Sequence, residues 1–239
     1  MKNDGNFGNQ AVERDVSIPS GRVVLEGTLC LPEGAQGIVL FAHGSGSSRH
    51  STRNQFVARV LQSQGIATLL FDLLTQDEDL VDQQTAQLRF DIPMLADRLT
   101  GATRWILLQP ETRALRVGYF GASTGAAAAL VAAAEFPDTV AAIVSRGGRP
   151  DLAGHALGSV VAPTLLIVGG NDRIVIGLNR QAFSKLRCPL KKLVLIRSAT
   201  HLFEEPGTLE AAAQRAAEWF SDHLSAVPQA QAVPASAHG

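Results

Sequence analysis

Charge, cysteine and long apolar runs are all scarce in this 239-residue chain. Only 18% of its residues are charged, and 21 Lys plus Arg against 22 Asp plus Glu leave a net charge of −1. A near-neutral chain has no electrostatic reason to seek nucleic acid or an anionic membrane. Two cysteines, Cys30 and Cys188, stand far apart and are too few for a disulfide scaffold. No stretch reaches the ~18 unbroken apolar residues of a membrane-spanning helix. The start of the chain lacks the apolar run of a secretory signal, so the expectation is a cytoplasmic protein with free thiols. There is no G-x-x-x-x-G-K-[ST] and no G-x-G-x-x-G opening a helix, so no nucleotide site is expected. With no H-E-x-x-H and no paired-cysteine ligand set, no metal or organic cofactor is expected either.

What the chain does have is apolar content, 46% of its residues. That excludes disorder of the whole chain and suits a domain that buries roughly 70% of its unfolded surface. Polar residues 1–11 read as a flexible lead-in, residues 12–226 as one domain, and the Ala/Pro/Gln-rich stretch 227–239 as a disordered tail. Val12–Leu31 alternates around Pro19-Ser20-Gly21 and predicts an antiparallel hairpin. Thereafter apolar runs alternate with helical spacing. Strands are expected at Gly37–Ala42, Ala67–Phe71, Arg116–Phe120, Val140–Ser145, Thr164–Val168 and Lys192–Ile196. Helices are expected at Arg53–Gln64, Ile92–Leu108, Thr124–Glu135, Ile176–Leu186 and Thr208–Ser225. Thr75–Thr85 is polar and acidic, and Thr75–Arg89 is the only long connection and the segment expected to be able to fold over the cleft. This order predicts an α/β fold: a mostly parallel eight-stranded sheet with helices on both faces.

The most informative segment is Gly121-Ala122-Ser123-Thr124-Gly125, a G-x-S-x-G between an apolar strand and a small-residue helix. That context is the confirming condition for a nucleophile elbow, a sharp strand-to-helix turn that presents a serine hydroxyl. Glycine is required at 121 and 125 because a Cβ there would strike the neighbouring strand and helix. The start of the helix at Thr124 aims free N–H groups at charge developing on a substrate oxygen.

Serine needs a base and the base an orienting carboxylate, in the chain order Ser, acid, His. Of six histidines, His43 and His50 precede the serine. His155 comes too early, and His223 and His238 fall on the last helix and the tail. His201, after the last strand, is the candidate base. Asp172, just past the carboxyl end of the seventh strand, is the candidate acid, with Asp151 past the sixth as the alternative. Glu204 and Glu205 lie too close in sequence to reach behind the imidazole. Thr124 should give one oxyanion-hole N–H. The Gly/Ser-rich loop His43–Ser48 should give the other, at Ser45 with Gly46 as alternative. Arg146 and Arg149, at the end of the sixth strand, are candidates for pairing with a substrate carboxylate. Only about Arg149–Val161 separates the sixth strand from the seventh, too short for a multi-helix lid, so little or no cap is expected.

These pieces resemble an α/β-hydrolase of the dienelactone-hydrolase-like group. They are HGSGSSRHS at 43–51, GASTG at 121–125, GGND at 169–172 and SATHLFEEPG at 198–207, within a match over about residues 20–225. Phe71–Thr75 with Arg89–Pro93, and Ser145–Asp151, are similar to hydrolase domains found fused to phosphoribosyltransferases; no such second domain is expected within these residues. The resemblance implies Ser123, Asp172 and His201 as the triad. Dienelactone hydrolases proper carry cysteine in the elbow, whereas this chain has serine, which favours a general carboxylesterase. The expected reaction is therefore hydrolysis of a small ester through an acyl-enzyme. Lactone or thioester hydrolysis, or a non-catalytic binding protein on the same fold, are the alternatives. No oligomeric state is singled out.

Overall fold

The structure, a computed structural model, describes residues 11–225. The lead-in expected at 1–11, save its last residue, and the tail expected at 227–239 lie outside the described residues. Strands β1 (Val12–Ser20) and β2 (Val23–Leu31) form the predicted hairpin. They are followed by β3 (Gly37–Ala42), β4 (Ala67–Phe71), β5 (Arg116–Ala122), β6 (Val140–Arg146), β7 (Thr164–Gly169) and β8 (Lys191–Ile196). One sheet joins all eight in the order β1-β2-β4-β3-β5-β6-β7-β8. β2 is antiparallel to both neighbours, and the other pairings are parallel. The carboxyl ends of β3 to β8 therefore share one edge, where the loops that carry the chemistry emerge.

Helices α1 (Thr52–Ser63) and α6 (Thr208–Leu224) cover one face of the sheet. The other face is covered by α3 (Ile92–Leu108), α4 (Thr124–Glu135) and α5 (Arg173–Lys185). Strand β3 shows why its apolar run has no alternation. Ile38, Leu40 and Ala42 enter the core under α3 and α4, while Val39 and Phe41 enter the core under α1 and α6. Helix α4 is nearly all alanine on its buried side, so its axis can lie close to the strands. Asp91 caps α3 by accepting from the Met94 N–H at 3.1 Å.

One connection differs from expectation, and another agrees with it. Gln76–Thr85 is a helix, α2, not part of an irregular connection. Its start is a capping box: Thr75 Oγ1 accepts from the Glu78 N–H, and Glu78 accepts from the Thr75 N–H at 2.8 Å. The apolar residues Leu80 and Val81 remain exposed, so α2 has no apolar stripe for a sequence reading to detect. The link after β6 folds as 3₁₀ turns over Pro150–Ser159, interrupted at Gly154, with no helical cap inserted. Cys30 and Cys188 are free and buried. Among the described residues no helix is long and apolar enough to cross a membrane.

Candidate active site

Ser123 joins β5 to α4 with φ 50° and ψ −122°, angles that an L residue adopts only when its surroundings impose them. Two glycines make the corner possible. A Cβ on Gly121 would lie 2.4 Å from Ala126 Cα, and one on Gly125 would lie 2.1 Å from the Ala42 carbonyl oxygen. The turn thus brings β3, β5 and α4 closer than any side chain would allow. Backbone at positive φ recurs nearby, at Ser198 and Phe203 on either side of His201.

The elements bring Ser123, His201 and Asp172 to one place from distant parts of the chain. Ser123 and His201 line a common cleft of about 240 Å³. Behind the imidazole, Nδ1 of His201 donates to Asp172 Oδ2 at 2.8 Å. The other oxygen of Asp172 accepts from the Val175 N–H at 3.3 Å and caps α5. One carboxylate is therefore fixed to a helix by one oxygen and aims the other at the histidine. Asp151 is engaged elsewhere, accepting both Nε and Nη2 of Arg149 at 2.9 and 2.8 Å. That bidentate pair raises the Arg149 pKa above its ordinary value, chiefly through the hydrogen bond to Asp151. Arg149 does not line the cleft, whereas Arg146 does.

The loop after β3 lies directly over the serine. A Cβ on Gly44 would come within 2.8 Å of Ser123 Cβ. Ser45 Oγ and Thr124 Oγ1 share a hydrogen bond of 3.1 Å, which ties this loop to the first residue of α4. Neither the Ser45 nor the Thr124 backbone N–H has an acceptor among the described residues. Gly46 sits in the turn closed by Ser47 N–H to Gly44 O at 3.2 Å, with φ 62°. It borders an adjoining small pocket instead of the cleft itself.

The loop is held by residues that the sequence reading passed over. His43 is buried; its Nδ1 donates to Gly44 O at 3.0 Å and its Nε2 accepts from the Leu73 N–H at 2.9 Å. Burial pushes its pKa down, against smaller raising effects from Gly44, Asp72 and Asp79, so the ring is held neutral. Asp72 accepts from the Arg49 N–H at 2.7 Å and pairs with the Arg49 guanidinium. The signal for both was the position of Asp72-Leu73 at the end of β4, beside the loop after β3. Glu205, four residues after the candidate base, accepts from the Thr200 N–H at 3.0 Å and steadies the His201 loop. Among the described residues no group of three His, Cys, Asp or Glu side chains gathers to hold a metal ion.

The sheet order, the elbow and the helices on both faces define the α/β-hydrolase fold. The chain belongs to the dienelactone hydrolase family, whose sequence model matches residues 25–228. It is similar to the crystal structure of a dienelactone hydrolase from Anabaena variabilis. The two are 61% identical with a TM-score of 0.88, covering 90% of this chain and 100% of that one. It is also 57% identical over 214 residues to a Mycobacterium tuberculosis protein named "Putative phosphoribosyl transferase", covering 89% of this chain and 47% of that protein. The chain thus spans about half the length of the curated relatives it matches. Est1E from Butyrivibrio proteoclasticus shares the fold, at 15% identity and a TM-score of 0.72 over 87% of this chain and 98% of that one.

Proposed function

We propose that this chain is a serine hydrolase that cleaves small carboxylic esters through an acyl-enzyme. The observation that carries the reading is a single cleft lined by the hydroxyl of a strained Ser123 and by an imidazole whose far nitrogen is held at 2.8 Å by Asp172. His201, with Nδ1–H fixed by the carboxylate, presents Nε2 as the base that takes the Ser123 proton. The alkoxide attacks the ester carbonyl. The tetrahedral oxyanion rests on the free N–H groups of Thr124 and Ser45, with the N-terminal end of α4 adding its positive dipole. The imidazolium, stabilised by Asp172, returns its proton to the leaving alcohol, and water repeats the sequence on the acyl-enzyme. The Ser123 hydroxyl has no protein partner among the described residues. Contacts of this kind tighten when substrate fills the site.

Cleft size bears on the substrate. About 240 Å³ with no helical cap suits short acyl groups, because larger ligands fill pockets of roughly 300–1,000 Å³. Lactones and thioesters would pass through the same intermediates. The name of the longer mycobacterial relatives belongs to proteins of which this chain spans 47%, and the family model that matches this chain, over residues 25–228, is a hydrolase's.

The test is turnover of ethyl butyrate by the wild-type chain and by Ser123→Ala. Wild-type hydrolysis with a loss of about 10⁴-fold or more in kcat for the variant is expected. Near-native rates in a folded Ser123→Ala protein would remove Ser123 as nucleophile.

A further inference from the structure

Arg146 is buried at the end of β6, only 7% exposed, and lines the cleft beside Ser123. Its backbone is the register partner of Ala122, and its carbonyl accepts from the Ser123 N–H at 3.4 Å. The guanidinium is poorly satisfied. Nη2 donates to Asn54 Oδ1 at a long 3.4 Å, while Nε and Nη1 are buried without a partner among the described residues. Its other neighbour is the Phe203 ring, 5.7 Å from centroid to Cζ. Burial, with a smaller contribution from Arg53, lowers its pKa to about 10, which leaves it charged at neutral pH.

A buried charge with no counterion is costly, and proteins normally pair it. Among the described residues the cleft supplies none: its lining includes Arg53, Arg146 and His201 but no Asp or Glu. The first turn of α1 opens on the same cleft through Ser51, Arg53 and Asn54. That turn carries no acidic residue, and the N–H groups of Thr52 and Arg53 have no acceptor among the described residues. Among the described residues Arg53 is paired only with Glu204, at 3.5 Å and at an exposed position, so an incoming anion can replace that partner. Helix N-terminus, rim arginine and buried arginine converge on one side of the nucleophile.

Taking Ser123 as the nucleophile of an esterase, we infer that the substrate carries its own anion, a carboxylate or phosphate group. This anion docks between Arg146, Arg53 and the first turn of α1 while the ester lies over Ser123. The bound anion completes the hydrogen bonding of Arg146 and fixes the orientation of the ester.

Two measurements test this. Calorimetric titration with succinate and with inorganic phosphate should show binding to the wild-type chain that weakens by about 100-fold in Arg146→Met. It should weaken by a smaller factor in Arg53→Ala, whose exposed position keeps the test open should Arg146→Met not fold. Tighter phosphate points to a phosphorylated substrate, and tighter succinate to a dicarboxylic half-ester. In turnover, ethyl hydrogen succinate or 2-acetoxyethyl phosphate should exceed ethyl butyrate in kcat/KM, with that preference collapsing in both variants. Hydrolysis of ethyl butyrate with neither anion bound would overturn the anion site and leave the esterase standing. Arginine-dependent anion binding with no ester hydrolysed would overturn the esterase and leave the site.

Discussion

At the scale of single residues, Asp172 performs two tasks with one carboxylate, and they can be separated. Asp172→Asn keeps an oxygen to cap α5 but can no longer fix the His201 tautomer. It should fold normally and lose about 10⁴-fold in kcat. Asp172→Ala removes the cap as well, and should lose a similar rate factor plus about 1 kcal/mol of stability. Ester assays and thermal melts on the two variants check the split. An Asp151→Asn variant that lost more rate than Asp172→Asn would move the acid to the end of β6. The serine, the histidine and the aspartate were legible because each follows a recognisable strand end. The roles of His43 and Asn54 were not, since each depends on partners about 30 or more positions away: Leu73 for one, Arg146 for the other. The same distance effect separated Arg146 from Arg149, alike in sequence position. One lies uncompensated in the cleft, and the other is neutralised two residues on by Asp151.

Among the elements, α2 shows where pattern reading stops. Its Thr75-Gln76-Asp77-Glu78 start carries the capping-box signature, but the body of the helix is polar and its apolar residues face water. It is anchored by charge instead. Asp82 is fully buried and accepts from the Arg89 N–H at 3.0 Å and from Arg89 Nε at 2.7 Å, while Arg89 Nη2 bonds the Asp82 carbonyl at 2.9 Å. Burial alone would raise the Asp82 pKa, but the hydrogen bonds and charge of Arg89 outweigh it and hold the carboxyl below its ordinary value of 3.8. A depressed carboxyl pKa contributes stability that is complete above the unfolded value and is lost as pH falls through the folded one. Urea denaturation from pH 6 down to pH 2 should therefore show an acid-dependent loss that Asp82→Asn lacks. At pH 7 the substitution should cost about 2 kcal/mol, less than a fully buried pair because Arg89 keeps partial access to water. Unchanged acid sensitivity in Asp82→Asn would show that the Arg89 pair does not hold this element. The parallel strands, by contrast, were legible nearly to the residue, because burial on both faces demands unbroken apolar runs and loops reset the pattern.

For the molecule as a whole, the sheet order converts a scattered sequence into a site. Ser123, Asp172 and His201 are spread over residues 123–201, yet β5, β7 and β8 run parallel and release them at one edge. β3 runs parallel to β5 and brings the Ser45 loop to the same edge. The alternation of strands and helices carried that order. What it could not carry is the charge balance of the assembled cleft, which exists only once α1 and β6 are side by side. The central claim is that Ser123 is an activated nucleophile, and covalent labelling addresses it without knowledge of the substrate. Incubation with a fluorophosphonate probe, followed by peptide mapping, should place one adduct on Ser123, absent from Ser123→Ala and strongly slowed in His201→Ala. A folded chain left unlabelled, or labelled at another residue, would contradict the account.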